Sequence, residues 1–298
     1  MLLHEDRRLF RDVLESASGK SGIQVDIVEK DYYVTLILSE IARRSALAVF
    51  KGGTSLSKAH KAVNRFSEDI DIAFREHLGS ARRKRLKYEI VAPIADKLGL
   101  RIANFDQTQS DRDLNCYQFR YEPVYGSDER VAPVVRLETS LVTVSYPVER
   151  KKIGNYIADL ADVLPLAEFG LAPFEMNVQT LERTFVDKLF AVCDYYLQGK
   201  SRRLSRHLYD LHMIRPKVGL DADFHALLKR VRGERARLAI CPSAKADVDV
   251  NALLREICEK DFFRSDYESV TRFFVFDDVK YDEVRETLLA VANIGLFC

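Results

Sequence analysis

Asp69 and Asp71 stand one residue apart in the run Phe66-Ser67-Glu68-Asp69-Ile70-Asp71-Ile72, where acidic and apolar residues alternate. On an extended backbone such a pair projects from one face, with the two positions roughly 6–7 Å apart. Both carboxylates can then converge on one hard cation or on two adjacent ones. Mg²⁺ takes one or two protein carboxylates and leaves the rest of its shell to water and substrate phosphates. Upstream, Lys51-Gly52-Gly53-Thr54-Ser55-Leu56-Ser57-Lys58 offers the complementary chemistry. Glycines let the backbone approach phosphate, and the free N–H groups at a helix start attract anions. Gly53, Thr54, Ser55 and Lys58 are therefore candidate phosphate ligands, and Ser55 can also cap the helix. A site that handles a nucleoside triphosphate needs both halves.

A strand carrying two metal-binding acids often pairs with one that supplies a third, and Glu138 is the candidate, on the polar face of an otherwise apolar strand. In a two-metal arrangement one ion activates the attacking hydroxyl while the other stabilises the leaving pyrophosphate. The competing account leaves Asp69 and Asp71 on the solvent side of an edge strand. The Gly-x-x-x-x-Gly-Lys-Ser/Thr spacing of a P-loop is absent, and Ala73-Phe74 does not suit an aspartyl-phosphate phosphatase. Farther on, Lys188 falls at the edge of the apolar stripe Phe185, Leu189, Val192 and Tyr196, as a snorkelling structural lysine or a functional one. Asp210 lies off its helix's apolar side, as a surface carboxylate would. His207 and His212 do not share a helical face.

These residues must be positioned by regular elements. Leu47 to Phe50 reads as a short buried strand, Ser55 to Val63 as a short helix and Glu68 to Phe74 as an alternating strand. A helix follows from Ser80 to a stop at Gly99, then strands near Asn115 to Val124 and Ala132 to Ser145. After Pro147 strand-like alternation disappears. Helical periodicity takes over in Thr180 to Leu197, Leu204 to Ile214, Phe224 to Arg232, Val250 to Cys258 and Tyr281 to Val291. The expected division is residues 1–150, a catalytic core with N-terminal helices, and residues 151–298, a helical domain.

The chain has 298 residues, 47% hydrophobic and 31% charged, and so can bury a sizeable core. No apolar run is long enough to span a membrane, and the charged start at Glu5 to Arg8 argues against a secretory signal. Cys116, Cys193, Cys241, Cys258 and Cys298 are scattered, as expected of reduced cytoplasmic thiols. A net charge of +1 does not announce a nucleic-acid binder. Basic stretches occur at Arg82 to Lys87, Arg150 to Lys152 and Lys200 to Arg206. Such runs are usually solvated helix faces, although several together can form a positive surface for a phosphate backbone.

The run Lys51 to Lys58 followed by Arg65 to Asp71 resembles the signature of the AbiEii/AbiGii nucleotidyltransferase toxins. That family includes the mycobacterial MenT toxins and belongs to the DNA-polymerase-β-like superfamily. The resemblance extends to Glu29-Lys30-Asp31-Tyr32-Tyr33, Thr184-Phe185-Val186-Asp187-Lys188-Leu189, Arg206-His207-Leu208-Tyr209-Asp210-Leu211 and the stretch from Tyr267 to Val284. It implies an α+β nucleotidyltransferase fold, a mixed sheet with flanking helices, followed by an all-helical C-terminal half. Gly53 and Ser55 correspond to its first motif, Asp69 and Asp71 to its metal pair, Lys188 to a triphosphate contact and Asp210 to a catalytic or positioning acid. The implied activity uses Mg²⁺ or Mn²⁺ and an NTP to add nucleotides to the tRNA 3′ end, blocking aminoacylation. A separately encoded antitoxin is the implied partner. The alternatives are nucleotidylation of a protein hydroxyl and a non-catalytic module that binds nucleotide or RNA.

Overall fold

The computed structural model describes residues 1–126, 131–160 and 165–297, so Cys298 lies outside the described residues. The chain divides into two units: Met1–Ala59 with Glu68–Gln179, and His60–Ser67 with Thr180–Cys298.

The first unit begins with helices α1 (Arg7–Ser21) and α2 (Val25–Arg44). The Asp6 side chain caps α1 by accepting from the amides of Arg8 and Leu9, and Gly22 ends it in the left-handed conformation. Helix α2 is buried nearly all round, including the charged Glu29, Lys30 and Asp31. Charges taken out of water in this way must find partners. Strand β1 (Ala48–Lys51) leads into the short helix α3 (Gly52–Lys58), and β2 (Asp69–Phe74) follows. The next helical stretch is α4 (Ser80–Arg85), a π-helical turn at Leu86–Val91 and α5 (Ala92–Leu98), closed by left-handed Gly99. Strands β3 (Arg101–Ile102), β4 (Leu114–Arg120), β5 (Val134–Val144), β6 (Val148–Ile153) and β7 (Phe174–Gln179) complete a seven-stranded sheet.

The strand order is β3-β4-β5-β2-β1-β7-β6. Pairs β2/β5 and β1/β7 are parallel and the others antiparallel, so the sheet is mixed, as expected. One face carries Tyr117, Phe119, Val135, Leu137, Ile70, Ile72, Phe50 and Val178, all buried. Helix α2 packs against β2, β5 and β7. The strands flanking the acid pair fall where alternation places them.

The expected boundary near residue 150 moves to Gln179–Thr180 because β6 and β7 belong to the sheet. Neither strand announces itself by period. The sequence of β6 is Val-Glu-Arg-Lys-Lys-Ile, the charged composition that protects a sheet edge from further pairing. Strand β7 is buried at four consecutive positions, Met176 to Gln179, so no polar face alternates.

The second unit is helical. Its longer helices are α6 (Leu181–Leu197), α7 (Arg206–Ile214), α8 (Ala222–Arg235), α9 (Val250–Glu259) and a final helix, Tyr281–Ile294. Thr180 and Asp221 cap α6 and α8 through their side chains. The segment His60–Ser67 joins this unit by backbone bonds, with Phe66 N donating to Phe274 O at 2.8 Å and Phe276 N to Asn64 O at 3.0 Å. Among the described residues no helix is long and apolar enough to cross a membrane.

Ile70 is fully buried between the two acids of β2. Truncation to Ala is expected to cost about 2–5 kcal/mol in urea unfolding. Leu114→Ala, at a position 54% exposed, is expected to stay within about 0.5 kcal/mol.

Candidate active site

The register of the sheet sets the acids side by side. Cys116 on β4 pairs with Glu138 on β5, Glu138 with Asp71 on β2, and Asp71 with Lys51 on β1. Residues opposite one another across a ladder share a face, so these form one polar row across four strands. The adjacent row runs Gln118, Arg136 and Asp69. Arg136 Nη1 lies 4.0 Å from Asp69 Oδ1. Alternation turns both rows away from the apolar face carrying Ile70 and Leu137. Asp69 and Asp71 are half-buried on an interior strand, and the edge-strand account fails because β2 has a partner on each side.

Crowding of negative charge perturbs this face. The carboxyl of Glu138 is held above its ordinary range, first by desolvation on the sheet and then by Asp71 and Asp69, with Arg136 and Lys51 opposing. The Cys116 thiol is pushed up to about 11, mainly by desolvation and next by Glu138. It is a thiol at neutral pH, not a nucleophilic thiolate.

Asp71 is fixed by a contact that spacing does not reveal. Gly52 has φ +76°, and a Cβ built there would lie 1.9 Å from Asp71 Oδ2 and 2.7 Å from Asp71 Cγ. The carboxylate thus occupies the place of a side chain at residue 52. The glycine that matters for this approach is Gly52, whereas sequence reasoning emphasised Gly53; the doubled glycine was the available signal.

The hydroxyls of the turn are used internally. Thr54 Oγ1 donates to the backbone carbonyl of Asp69, tying α3 to the start of β2. Ser55 is fully buried inside α3 and its Oγ donates to Gly52 O at 2.9 Å, so it does not cap the helix; Lys51 occupies the cap position. Lys58 Nζ is paired with Asp31 Oδ1, with both side chains under a tenth exposed. Thr54, Ser55 and Lys58 therefore build and anchor the turn. The backbone N–H groups at the start of α3, which lack intrahelical partners, remain as donors for an anion.

The donor set fits a hard divalent cation. Carboxylate oxygens suit Mg²⁺ or Mn²⁺, and clustered negative charge is what such an ion relieves. Among the described residues no three acid, histidine or cysteine side chains converge as a ready-made metal cage. Asp69 and Asp71 share a face, with Glu138 one strand away, and a Mg²⁺ site needs only one or two protein carboxylates.

Lys188 and Asp210 meet in the helical unit. Asp210 is fully buried, contrary to the surface position its helix pattern predicts. Arg65 grips it in a fork, Nε to Oδ1 at 2.6 Å and Nη2 to Oδ2 at 2.8 Å, and Lys188 Nζ lies 2.7 Å from Oδ2. Burial pushes the Asp210 carboxyl up, but Arg65 and Lys188 outweigh it and hold it well below the usual range. Lys188 is lowered by burial, with Arg65 pushing the same way and Asp210 opposing. His207, 3.4 Å from Lys188 Nζ, is kept neutral by burial and by the charges of Lys188 and Arg206. Arg65 was missed as a partner because Asp210 lies 145 residues away in sequence.

Several cations in the first two basic stretches have acid partners. Arg82 pairs with Glu76, Arg83 with Asp113, Arg85 with Glu89, Arg150 with Glu175 and Lys151 with Glu149.

Gly52→Ala can relieve its clash by swinging the Asp71 carboxylate aside, which removes it from its row. Expected are a loss of about 1–3 kcal/mol in urea unfolding and a weakened Mn²⁺ affinity in titration. Asp210→Asn leaves Arg65 and Lys188 uncompensated and is expected to cost about 3–5 kcal/mol at neutral pH. Because the folded carboxyl titrates below its unfolded value of about 3.9, its stabilising contribution is complete above that value. It is lost as pH falls toward the folded one, so the gap between wild type and variant should narrow below about pH 4 in acid-unfolding curves.

Residues 37–288 match the family model described as nucleotidyl transferase AbiEii toxin, type IV TA system. No curated protein matches the chain. Among solved structures the chain is similar to MenT4, a nucleotidyltransferase toxin from Mycobacterium tuberculosis H37Rv, with 18% identity over 97% of each chain and a TM-score of 0.48. The matched stretch holds the Gly-Gly turn, the acid pair and the Lys188–Asp210 pair in one continuous span, and the chain belongs to the AbiEii family of nucleotidyltransferase toxins of type IV toxin–antitoxin systems.

Proposed function

We propose that this chain transfers a nucleotide from an NTP to the 3′ hydroxyl of a tRNA, with Mg²⁺ or Mn²⁺ held by Asp69 and Asp71. The observation that carries the metal half is the seating of Asp71 against Gly52, in register with Glu138 and beside Asp69. In the transfer, the acceptor oxygen bonds to the α-phosphorus, the bridge to the β-phosphate breaks, and pyrophosphate leaves. A divalent ion, when bound, neutralises triphosphate charge and favours the ionised acceptor hydroxyl.

The chain's own groups prepare that chemistry. Asp69 and Asp71 supply fixed negative charge on a strand that has a partner on each side, so little reorganisation is needed at the moment of reaction. Gly52 and Gly53 present backbone donors to the triphosphate, while Thr54, Ser55 and Lys58 hold the turn in shape. Glu138 is the proposed third acid, and its raised proton affinity suits a group that ionises fully when a cation arrives. Lys188 and Asp210 are proposed catalytic residues of the helical unit on family correspondence. tRNA as acceptor, loss of aminoacylation as consequence and a separately encoded antitoxin as partner also rest on the family.

Full-length protein incubated with each labelled NTP, total RNA and Mg²⁺ or Mn²⁺ tests the proposal. Label is expected at the 3′ end of tRNA-sized RNA, falling to background for Asp69→Ala and Asp71→Ala. Label that migrates with protein instead would replace the acceptor, and no label with any NTP would remove the enzymatic reading.

A further inference from the structure

We propose that Lys30 is a positioning residue for the metal-binding acids, acting from the opposite side of the sheet; this inference rests on the metal site proposed above. Lys30 is 1% exposed on α2. Its Nζ donates to Glu68 Oε2 and to the backbone carbonyl of Ala132, the latter at 2.9 Å. Glu68 immediately precedes β2, and Ala132 lies just ahead of β5. One buried ammonium therefore ties together the beginnings of the two strands that carry Asp69, Asp71 and Glu138.

The need for such a tie follows from the topology. Strands β2 and β5 are parallel neighbours, so no tight hairpin sets their register. The apolar pattern excludes a slip of one residue, which would turn the apolar set toward solvent. It does not exclude a slip of two, which keeps Ile70 and Leu137 on the buried face but places Arg136 or Ser140 beside Asp71. The Lys30 bonds fix the starting point of both strands and hence the observed pairing of Asp71 with Glu138.

The flanking residues support a dedicated role for this turn of α2. Glu29 Oε1 accepts from Val124 N at 2.9 Å. Asp31 pairs with Lys58 at the end of α3 and accepts from Tyr156 N at 3.0 Å. On this turn of α2, Lys30 thus holds the starts of β2 and β5, Asp31 the far end of the glycine turn's helix, and Glu29 the backbone at Val124. Burying the Lys30 and Asp31 charges is costly, and a core made for stability alone would be served as well by apolar side chains of similar volume.

The test separates position from stability. Mn²⁺ binding to the full-length chain is measured by electron paramagnetic resonance. Hydrogen exchange is followed over residues 69–72 and 134–139, with Asp71→Ala as the background for metal binding. Lys30→Met leaves Glu68 without its partner and is expected to lower both thermal stability and Mn²⁺ affinity. Lys30→Met with Glu68→Gln removes the unpaired charge, so stability is expected to recover. Mn²⁺ affinity should nevertheless stay about tenfold or more below wild type, the usual loss when a group supporting a ligand is removed, with faster exchange in both strands. Glu68→Ala is the second route: its side chain is 23% exposed, so water can reach Lys30 and the fold is retained, and weakened Mn²⁺ binding is again expected. Wild-type affinity and exchange in the stable double variant, or in Glu68→Ala, would overturn the positioning role. A wild-type chain that binds no Mn²⁺ would overturn the metal site itself, and the inference with it.

Discussion

Asp71 occupies space that any side chain at residue 52 would fill, and this contact organises the rest of the site. It requires a glycine with positive φ at the end of β1, so the chain must turn there into a helix. It also requires β1 and β2 to run antiparallel in the register that sets Lys51 beside Asp71. Once Asp71 is seated, the parallel pairing of β2 with β5 delivers Glu138 to the next position in the row. The cost is desolvation and then crowding of like charge, and both raise the proton affinity of Glu138 and Cys116. A cation on this face would relieve that crowding.

Charge is handled differently in the helical unit. Asp210 is surrounded by Arg65 and Lys188 at hydrogen-bond distance, and the balance of charge keeps it ionised in the interior. Among the described residues this cluster sets Arg65 and Lys188 on one carboxylate, with a neutral histidine beside them. Short bonds from Arg65 and Lys188 to both carboxylate oxygens hold these side chains in one arrangement. The same bonding makes the cluster structural, so functional tests on Lys188 or Asp210 must report folding as well as activity.

Much of this was legible in local pattern. Alternation in Asp-Ile-Asp-Ile marked β2 and the common face of Asp69 and Asp71. The helical stretch expected from Ser80 to a stop at Gly99 is present, and the five periodic helices of the second unit are found. Strands β6 and β7 were hidden, one by the charges of a sheet edge and the other by burial on both sides. Asp210 was misplaced because the helix pattern reports which face is apolar, not whether a buried cation waits for an acid on the other face. Thr54, Ser55 and Lys58 had the chemistry of phosphate ligands, but their bonds to Asp69, Gly52 and Asp31 depend on how α3 packs.

By itself the amino-acid sequence determined which residues could share a strand face, which turn needed glycine and which family the motifs resemble, because these depend on spacing along the chain. Tertiary structure decided that Glu138 stands next to Asp71, that Gly52 and not its neighbour receives the carboxylate, and that Lys30 ties two strand beginnings from behind the sheet. Register across parallel strands and pairing between distant charges arise from contacts far apart in sequence. Local periodicity carries no record of them.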